Sequence, residues 1–311
     1  MVQFTRRHFA ALAGLAVLAG CSSNDPLATP STTATAAGSG ASSGAKPTLV
    51  VGSQQYYSNE IIAELYAQVL EKDGYTITRQ YQIGQREIYL PEIKNGKIDV
   101  FPEYGGNLLQ ALDKSSKAHT KDEIITALGT ALGSGLRVLN AADASDQDSY
   151  TVTKALADQH GLVTIADLTK VGGTIKVGAN SEFATRPYGP SGLKTVYGVT
   201  AEVTPIEDSG GPLTVKALVD GKVQAADIYT ADPAIAKNNL VVLQDPKALI
   251  LPQNVVPVVS QKVDEAAAAA INKVSAALTA ADLQKLNARS VDEKLKSAEI
   301  ATDWLKQKGL V

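Results

Sequence analysis

The chain has 311 residues, and its 29 Lys and Arg against 32 Asp and Glu leave a formal net charge of −3. The body of the sequence carries no basic cluster, which argues against nucleic-acid binding. The one cysteine, Cys21, lies near the start, so the rest of the chain has no internal disulfide, thiolate nucleophile or cysteine-based metal site.

Residues 1–20 have the pattern of an export signal. The basic pair Arg6 and Arg7 precedes an apolar run over 10–19, far shorter than the roughly 20 residues of a membrane span. The run ends in LAGC at 18–21, which resembles the lipobox of a bacterial lipoprotein signal and would make Cys21 the lipidated first residue. The arginine pair also resembles a twin-arginine signal, so the export route stays open.

A tether is predicted over residues 21–45, which are dominated by Ser, Thr, Ala, Gly and Pro. Such a segment cannot bury enough apolar surface to offset its ordering entropy. With a lipid on Cys21, the tether would hold the folded body on the outer face of the cytoplasmic membrane.

The first part of the folded body alternates between strand and helix patterns. Such a β-α-β-α-β run implies a parallel sheet. The third strand stops at Pro102, and Gly105 and Gly106 predict a turn at the carboxyl edge of that sheet, where open α/β sheets bind ligands. The predicted strands are 48–52, 75–81, 98–101 and 136–139, with helices at 59–72, 85–94 and 122–133.

A second alternating unit begins near residue 148. Its predicted strands are 174–178, 202–206, 225–229 and 240–243, with helices at 165–170, 191–197 and 214–220. The chain then returns through a strand at 255–259 and two helices, at 265–278 and 292–308, which are expected to pack on the first unit.

These patterns predict an α/β protein with the two-lobed type II periplasmic-binding-protein fold, in which hinged lobes surround a central ligand cleft. Lobe I is expected to comprise 46–147 plus 250–311, and lobe II 148–249. Many of the 11 tyrosines lie beside Gly, Pro, Ser or Asp, which places them at strand ends and loops, where they can face a ligand.

At five places the chain resembles the substrate-binding lipoproteins of osmoprotectant ABC transporters, the glycine betaine, carnitine and choline family. The resemblance covers essentially all of the chain after the tether, with its motifs in the family's order. The blocks are GSQQYYSN at 52–59, GKIDVFPEYGG at 96–106, EFATRPYG at 182–189, DIYTAD at 227–232, and NARSVD with AEIATDWL at 287–305.

The resemblance implies a box of tyrosines for a quaternary ammonium group, which carries charge but no hydrogen-bond donor. Tyr104, Tyr150 and Tyr229 match the family's box positions, and Arg186 matches the arginine that binds a betaine carboxylate. Further ligand-binding candidates from the matching segments are Gln54, Gln55, Tyr56, Asn107, Asp148 and Asn254.

The chain departs from the family pattern at several of these positions. Gln253 and Asn254 stand where the family offers a further tyrosine, so the box is opened on one side. This leaves a hydroxylated aromatic, polyphenol-like or sugar-like ligand as the alternative to a compatible solute. The sequence leaves open whether Phe101, Tyr57, Tyr188 or Gln253 lines the cleft.

The expected function is the extracytoplasmic solute-binding component of an ABC importer. An enzyme and a structural surface protein are the competing classes. His119 and His160 are isolated, and the glycine pairs match no phosphate-binding fingerprint, so no catalysis, metal or cofactor is predicted. The expected partners are a small-molecule ligand, the permease with its ATPase subunit, and the membrane through the lipid anchor, with the protein itself a monomer.

Overall fold

Two five-stranded sheets organise the part of the chain that this computed structural model describes, residues 46–311. The predicted signal peptide, the tether and Cys21 lie outside these residues. The strands are β1 (Thr48–Gly52), β2 (Thr76–Gln80), β3 (Val100–Tyr104), β4 (Leu136–Val138), β5 (Tyr150–Thr153), β6 (Ile175–Ala179), β7 (Ala201–Pro205), β8 (Ala225–Asp227), β9 (Leu240–Val242) and β10 (Val255–Ser260).

Helices connect most of these strands and form the end of the chain. They are α1 (Tyr57–Lys72), α2 (Arg86–Lys94), α3 (Gly105–Leu112), α4 (Lys121–Ala131), α5 (Lys154–His160), α6 (Pro190–Tyr197), α7 (Pro212–Val219), α8 (Ala234–Lys237), α9 (Glu265–Ala277), α10 (Ala280–Asp292) and α11 (Ser297–Gln307), with 3-10 turns at Ile165–Lys170 and Ser181–Thr185. Within residues 46–311, no helix combines the length and the apolar character needed to cross a membrane.

The first sheet has the order β2-β1-β3-β10-β4. Its strands β1, β2 and β3 are parallel, which confirms the parallel sheet predicted from the alternating pattern. Strand β10 arrives from far along the chain and is antiparallel to both β3 and β4. Its long-range pairing explains why it has no hairpin partner nearby in the sequence.

The second sheet repeats this plan with the order β7-β6-β8-β5-β9. Strands β6, β7 and β8 are parallel, and β5 is antiparallel to β8 and β9. Each sheet therefore receives its antiparallel strand directly after the chain crosses from the other sheet. The observed architecture confirms the predicted two-lobed α/β fold, and the loops after β1, β3, β6 and β8 carry side chains that line one shared cavity.

The core of the first lobe extends over the terminal helices, as expected from the sequence. Helices α1, α9, α10 and α11 form one buried apolar cluster with β1 and β10, and it includes Trp304. The sequence pattern did not predict α10, and it placed the start of the final helix at residue 292 instead of Ser297. Helix α10 buries only Leu283, Leu286 and the polar Asn287, so its apolar stripe is too short to recognise in the sequence.

The turn predicted at Gly105 and Gly106 is instead the first turn of helix α3. Both amide groups donate to the segment before β10, Gly105 to the Asn254 carbonyl and Gly106 to the Pro252 carbonyl, each at 3.0 Å. A Cβ atom on Gly106 would lie 2.6 Å from the Cβ of Leu251. Glycine is therefore required here by close backbone approach, and not by a conformation closed to other residues.

Candidate functional site

A cavity lies between the two lobes at the ends of the parallel strands. It is narrow, with a volume of about 40 Å³, and it opens to solvent. The first lobe and the crossing segment contribute Gln54, Tyr56, Gln85, Arg86, Tyr104, Asn107, Asp146 and Asp148, and the second lobe contributes Asn180, Glu182, Phe183, Arg186, Tyr188, Ser209, Gly210, Asp227 and Tyr229.

Three tyrosines form an aromatic wall across both lobes. Tyr56 precedes α1, Tyr104 ends β3, and Tyr229 follows β8 in the second lobe. The Tyr56 ring lies 6.3 Å from the Tyr104 ring at an interplanar angle of 26°, and 5.2 Å from the Tyr229 ring at 57°. The face of an aromatic ring attracts a cationic group at roughly 0.5–2 kcal/mol per contact.

The structure places Tyr150, in contrast, behind the cavity wall. Its ring is 1% exposed and packs edge-on against Phe183, with 5.8 Å between ring centroids, inside the second core. Its hydroxyl donates to the carbonyl of Tyr188 at 2.6 Å. The geometry therefore makes Tyr150 a support for Phe183 and Tyr188, which do line the cavity.

Two other predicted residues also lie outside the lining. Gln55 donates through Nε2 to the Ser209 hydroxyl at 3.0 Å, which joins the two lobes beside the cavity. Asn254 donates through Nδ2 to the Ala142 carbonyl at 3.0 Å, and its backbone forms an antiparallel β-bridge with Ser145. The remaining predicted residues line the cavity: Gln54, Tyr56, Tyr104, Asn107, Asp148, Arg186 and Tyr229.

The arginines of the cavity are both paired with carboxylates that do not line it. Arg86 makes two hydrogen bonds of 2.9 Å to Glu103, through Nε and Nη2. Arg186 reaches across the lobes, and its Nη1 lies 2.8 Å from Glu87 Oε1. The predicted carboxylate binder Arg186 is thus engaged in an interlobe ion pair, whereas the Nη1 group of Arg86 makes no hydrogen bond within residues 46–311.

Carboxylates give the cavity an anionic character. Asp146, Asp148 and Asp227 are buried, and Glu182 lies beside them on the second lobe. Burial raises the pKa of Asp146 to about 7. Burial, followed by the neighbouring Asp148, raises the pKa of Asp227 well above its usual range. A ligand with a positive charge would relieve both effects.

One buried donor in the cavity has no partner. Gln54 is 6% exposed, its backbone amide donates to Asn59, and its side-chain Nε2 makes no hydrogen bond within residues 46–311. A buried donor left unpaired costs about 1–3 kcal/mol. The cavity therefore offers a ligand acceptor two donors, from Gln54 and from Arg86 Nη1.

Several lining residues were not selected as site residues from the sequence. Asn180 follows β6 and Asp227 ends β8, so both lie at carboxyl ends of parallel strands, as Gln54 does after β1. That shared position is the signal that could have identified them. Arg86 lies at the start of α2, and no sequence pattern indicates that it faces the cavity.

Residues 47–307 match the protein family described as the substrate binding domain of ABC-type glycine betaine transport system. The glycine betaine-binding protein YehZ of Escherichia coli is 28% identical over 275 residues, which cover 83% of this chain and 90% of YehZ. A glycine-betaine-binding protein of Pseudomonas aeruginosa is 25% identical over 279 residues, covering 85% and 89%. A crystal structure described as a glycine betaine/carnitine/choline ABC transporter shares the fold, with a TM-score of 0.70 at 22% identity over 85% of this chain and 99% of that one.

Proposed function

The chain belongs to the family of substrate-binding domains of ABC-type glycine betaine transport systems, and we propose that it binds a quaternary-ammonium solute of the glycine betaine, choline or carnitine type. The solute would be held between the lobes and passed to a permease that works with an ATPase subunit. The observation that carries the proposal is the wall of three tyrosines contributed by both lobes.

The chemistry of the lining fits such a solute. A trimethylammonium group has no hydrogen to donate, so aromatic faces and nearby carboxylates are the groups that can stabilise it. Tyr56, Tyr104 and Tyr229 supply the faces, and the buried aspartates supply negative charge. For a betaine or carnitine, the Gln54 Nε2 and Arg86 Nη1 groups are free to donate hydrogen bonds to the ligand carboxylate.

The alternative ligand, a polyphenol-like or sugar-like compound, is less well supported. Its hydroxyl groups could bond the carboxylates, but it brings no positive charge to a cavity lined by Asp146, Asp148, Glu182 and Asp227. Buried carboxylates without a cation carry a desolvation cost that such a neutral ligand would leave in place.

The two halves of the site would close on the solute as hinged lobes, with lobe I as 46–147 plus 250–311 and lobe II as 148–249. Contacts across the mouth support a closed arrangement: Arg186 pairs with Glu87, and Gln55 bonds Ser209. Export, lipidation at Cys21 and a monomeric state complete the proposal. A Cys21→Ser variant should no longer be recovered in the membrane fraction. Its recovery there would contradict a lipid anchor at Cys21.

Calorimetric titration of residues 46–311 with choline, glycine betaine and carnitine tests the function. Tyr229→Leu removes an aromatic face at similar bulk and should weaken binding at least about tenfold, or roughly 1.4 kcal/mol. Tyr229→Phe keeps the face and is the matched control, with affinity close to wild type. Equal affinities of the Leu and Phe variants, or no binding of any quaternary amine, would refute the proposal.

A further inference from the structure

We propose that Asp227 holds a proton in the ligand-free cavity, where Asp148 is a second acid in the lining, and that capture of a solute with a fixed positive charge expels this proton. The pair would then discriminate cationic solutes from neutral ones of the same shape, and affinity would rise with pH. This inference rests on the proposed function and assigns the positive charge of the ligand to one pair of side chains.

The backbone brings the two carboxyl groups to the same part of the cavity. Asp227 is the last residue of β8 and is aligned with Tyr150 of the antiparallel strand β5, two residues after Asp148. Both aspartates line the cavity, and they are 7% and 6% exposed, for Asp148 and Asp227 respectively. Asp227 Oδ1 accepts from the Ser149 amide at 3.1 Å, and Asp148 Oδ2 accepts from Asn107 Nδ2 at 2.6 Å.

Neither carboxyl group has a cationic partner. Within residues 46–311, no ion pair includes Asp148 or Asp227, although Arg86 and Arg186 line the same cavity. Those arginines are already engaged by Glu103 and Glu87. Asp227 is buried among other acids and has no counter-ion in that part of the chain, so its ionised form is costly and it holds the proton.

The other groups that face the pair reinforce this conclusion. Glu182 adds a further carboxylate, which also raises the pKa of Asp227. Tyr188 and Tyr229 surround the pair as neutral phenols, since burial and Asp227 raise the pKa of both, and Tyr150 is affected in the same way. The donors from Asn107 and Ser149 stabilise negative charge but supply no positive charge.

A second feature of the cavity points independently to a ligand at this place. Gln54 Nε2 is a buried donor without a partner in the lining that includes the carboxyl pair. The cavity thus combines an unused donor, three aromatic faces and an uncompensated pair of acids. A quaternary ammonium cannot hydrogen-bond to the pair, so it acts on it through charge alone.

The proton passes to the buffer as the positively charged solute enters the cavity, so charge is balanced. If one proton is released per bound solute, the dissociation constant falls by up to tenfold for each unit of rising pH while Asp227 is still protonated in the free protein. A neutral solute leaves the proton in place. Its affinity is then independent of pH, and it binds more weakly than the cation of the same shape.

The experiment measures proton release by calorimetry at pH 6, 7 and 8 in buffers that differ in ionisation enthalpy. Choline, a net cation, and glycine betaine, a zwitterion with a fixed ammonium charge, are the quaternary-ammonium probes, and 3,3-dimethyl-1-butanol is the neutral isostere of choline. We expect release of up to one proton with choline and none with the isostere. Binding of choline or betaine without proton release at any pH overturns the inference and leaves the proposed function intact.

Asp227→Asn assigns the effect to the pair, because the amide oxygen can still accept from Ser149. It should reduce proton release and weaken the pH dependence, whereas the matched control Asp158→Asn, at an exposed acid paired with Lys154, should change neither. Undiminished release in Asp227→Asn overturns the inference. If that variant does not fold, the wild-type comparison of choline with its isostere decides. If neither choline nor glycine betaine binds, the proposed function and this inference are overturned together.

Discussion

The ion pair between Arg86 and Glu103 should dominate the stability of the cavity wall. The side chains are 7% and 0% exposed, and two hydrogen bonds of 2.9 Å join them. Glu103 also accepts from the Tyr89 hydroxyl at 2.7 Å and from the Tyr104 amide at 2.9 Å. Glu103→Gln keeps an acceptor for these groups but leaves a buried guanidinium without its counter-charge, so unfolding should become easier by about 3–5 kcal/mol.

A double-mutant cycle separates this charge effect from simple loss of packing. Arg86→Met alone strands the Glu103 carboxylate and should cost a similar amount, whereas the double variant removes both charges together. Urea denaturation of the four proteins should then give a coupling energy of at least about 2 kcal/mol, with the double variant much more stable than the summed single losses. Costs that add within about 0.5 kcal/mol would refute the reasoning, since they would mean that the two charges do not depend on each other.

Two further predictions concern backbone packing and pH. Gly106→Ala should lower stability by about 1–3 kcal/mol in urea denaturation, because the new Cβ would lie 2.6 Å from that of Leu251. Gly129→Ala, at a helical position with nothing within 4 Å of the new Cβ, should raise stability by about 0.5–1 kcal/mol. Equal effects of the two substitutions would contradict the packing argument. Asp146 has a pKa of about 7 in the folded protein against an ordinary value of 3.8. The folded protein therefore holds this proton more tightly than the unfolded chain does, and the free energy of unfolding falls as pH rises from about 4 to about 7. Asp146→Asn should therefore match wild type near pH 4 and exceed it by up to about 4 kcal/mol at pH 8, and a difference that does not change with pH would exclude the titration of this group.

Side-chain direction limited the prediction of the site. Tyr150 and Tyr229 both follow from the family resemblance, but only Tyr229 reaches the cavity. Tyr150 is the first residue of β5, and its ring enters the core beside Phe183. Successive side chains of a strand point to opposite faces, so a motif position alone does not say which face a residue takes until the pairing of the strand is known.

Charge partners were also beyond the reach of the sequence. Arg186 matches a ligand-binding arginine by motif, yet it pairs with Glu87, which is 99 residues away in the chain. Arg86 belongs to no recognised motif but directs its guanidinium to the cavity wall. Which charged side chains meet is decided by tertiary contact, because the partners come from elements that are separate in the sequence.

The sequence by itself determined the alternation of strands and helices, the two-lobed plan and the positions of residues such as Tyr104 at the carboxyl ends of strands. These features depend on local periodicity and on turn residues, which act over a few positions. Only the tertiary structure decided the antiparallel insertion of β10 between β3 and β4, the glycine requirement at Gly106 and the placement of Asp148 and Asp227 in one cavity. Each of these arises from contact between distant segments, whose energy depends on register, close approach and burial, and none of these quantities is encoded in a short stretch of sequence.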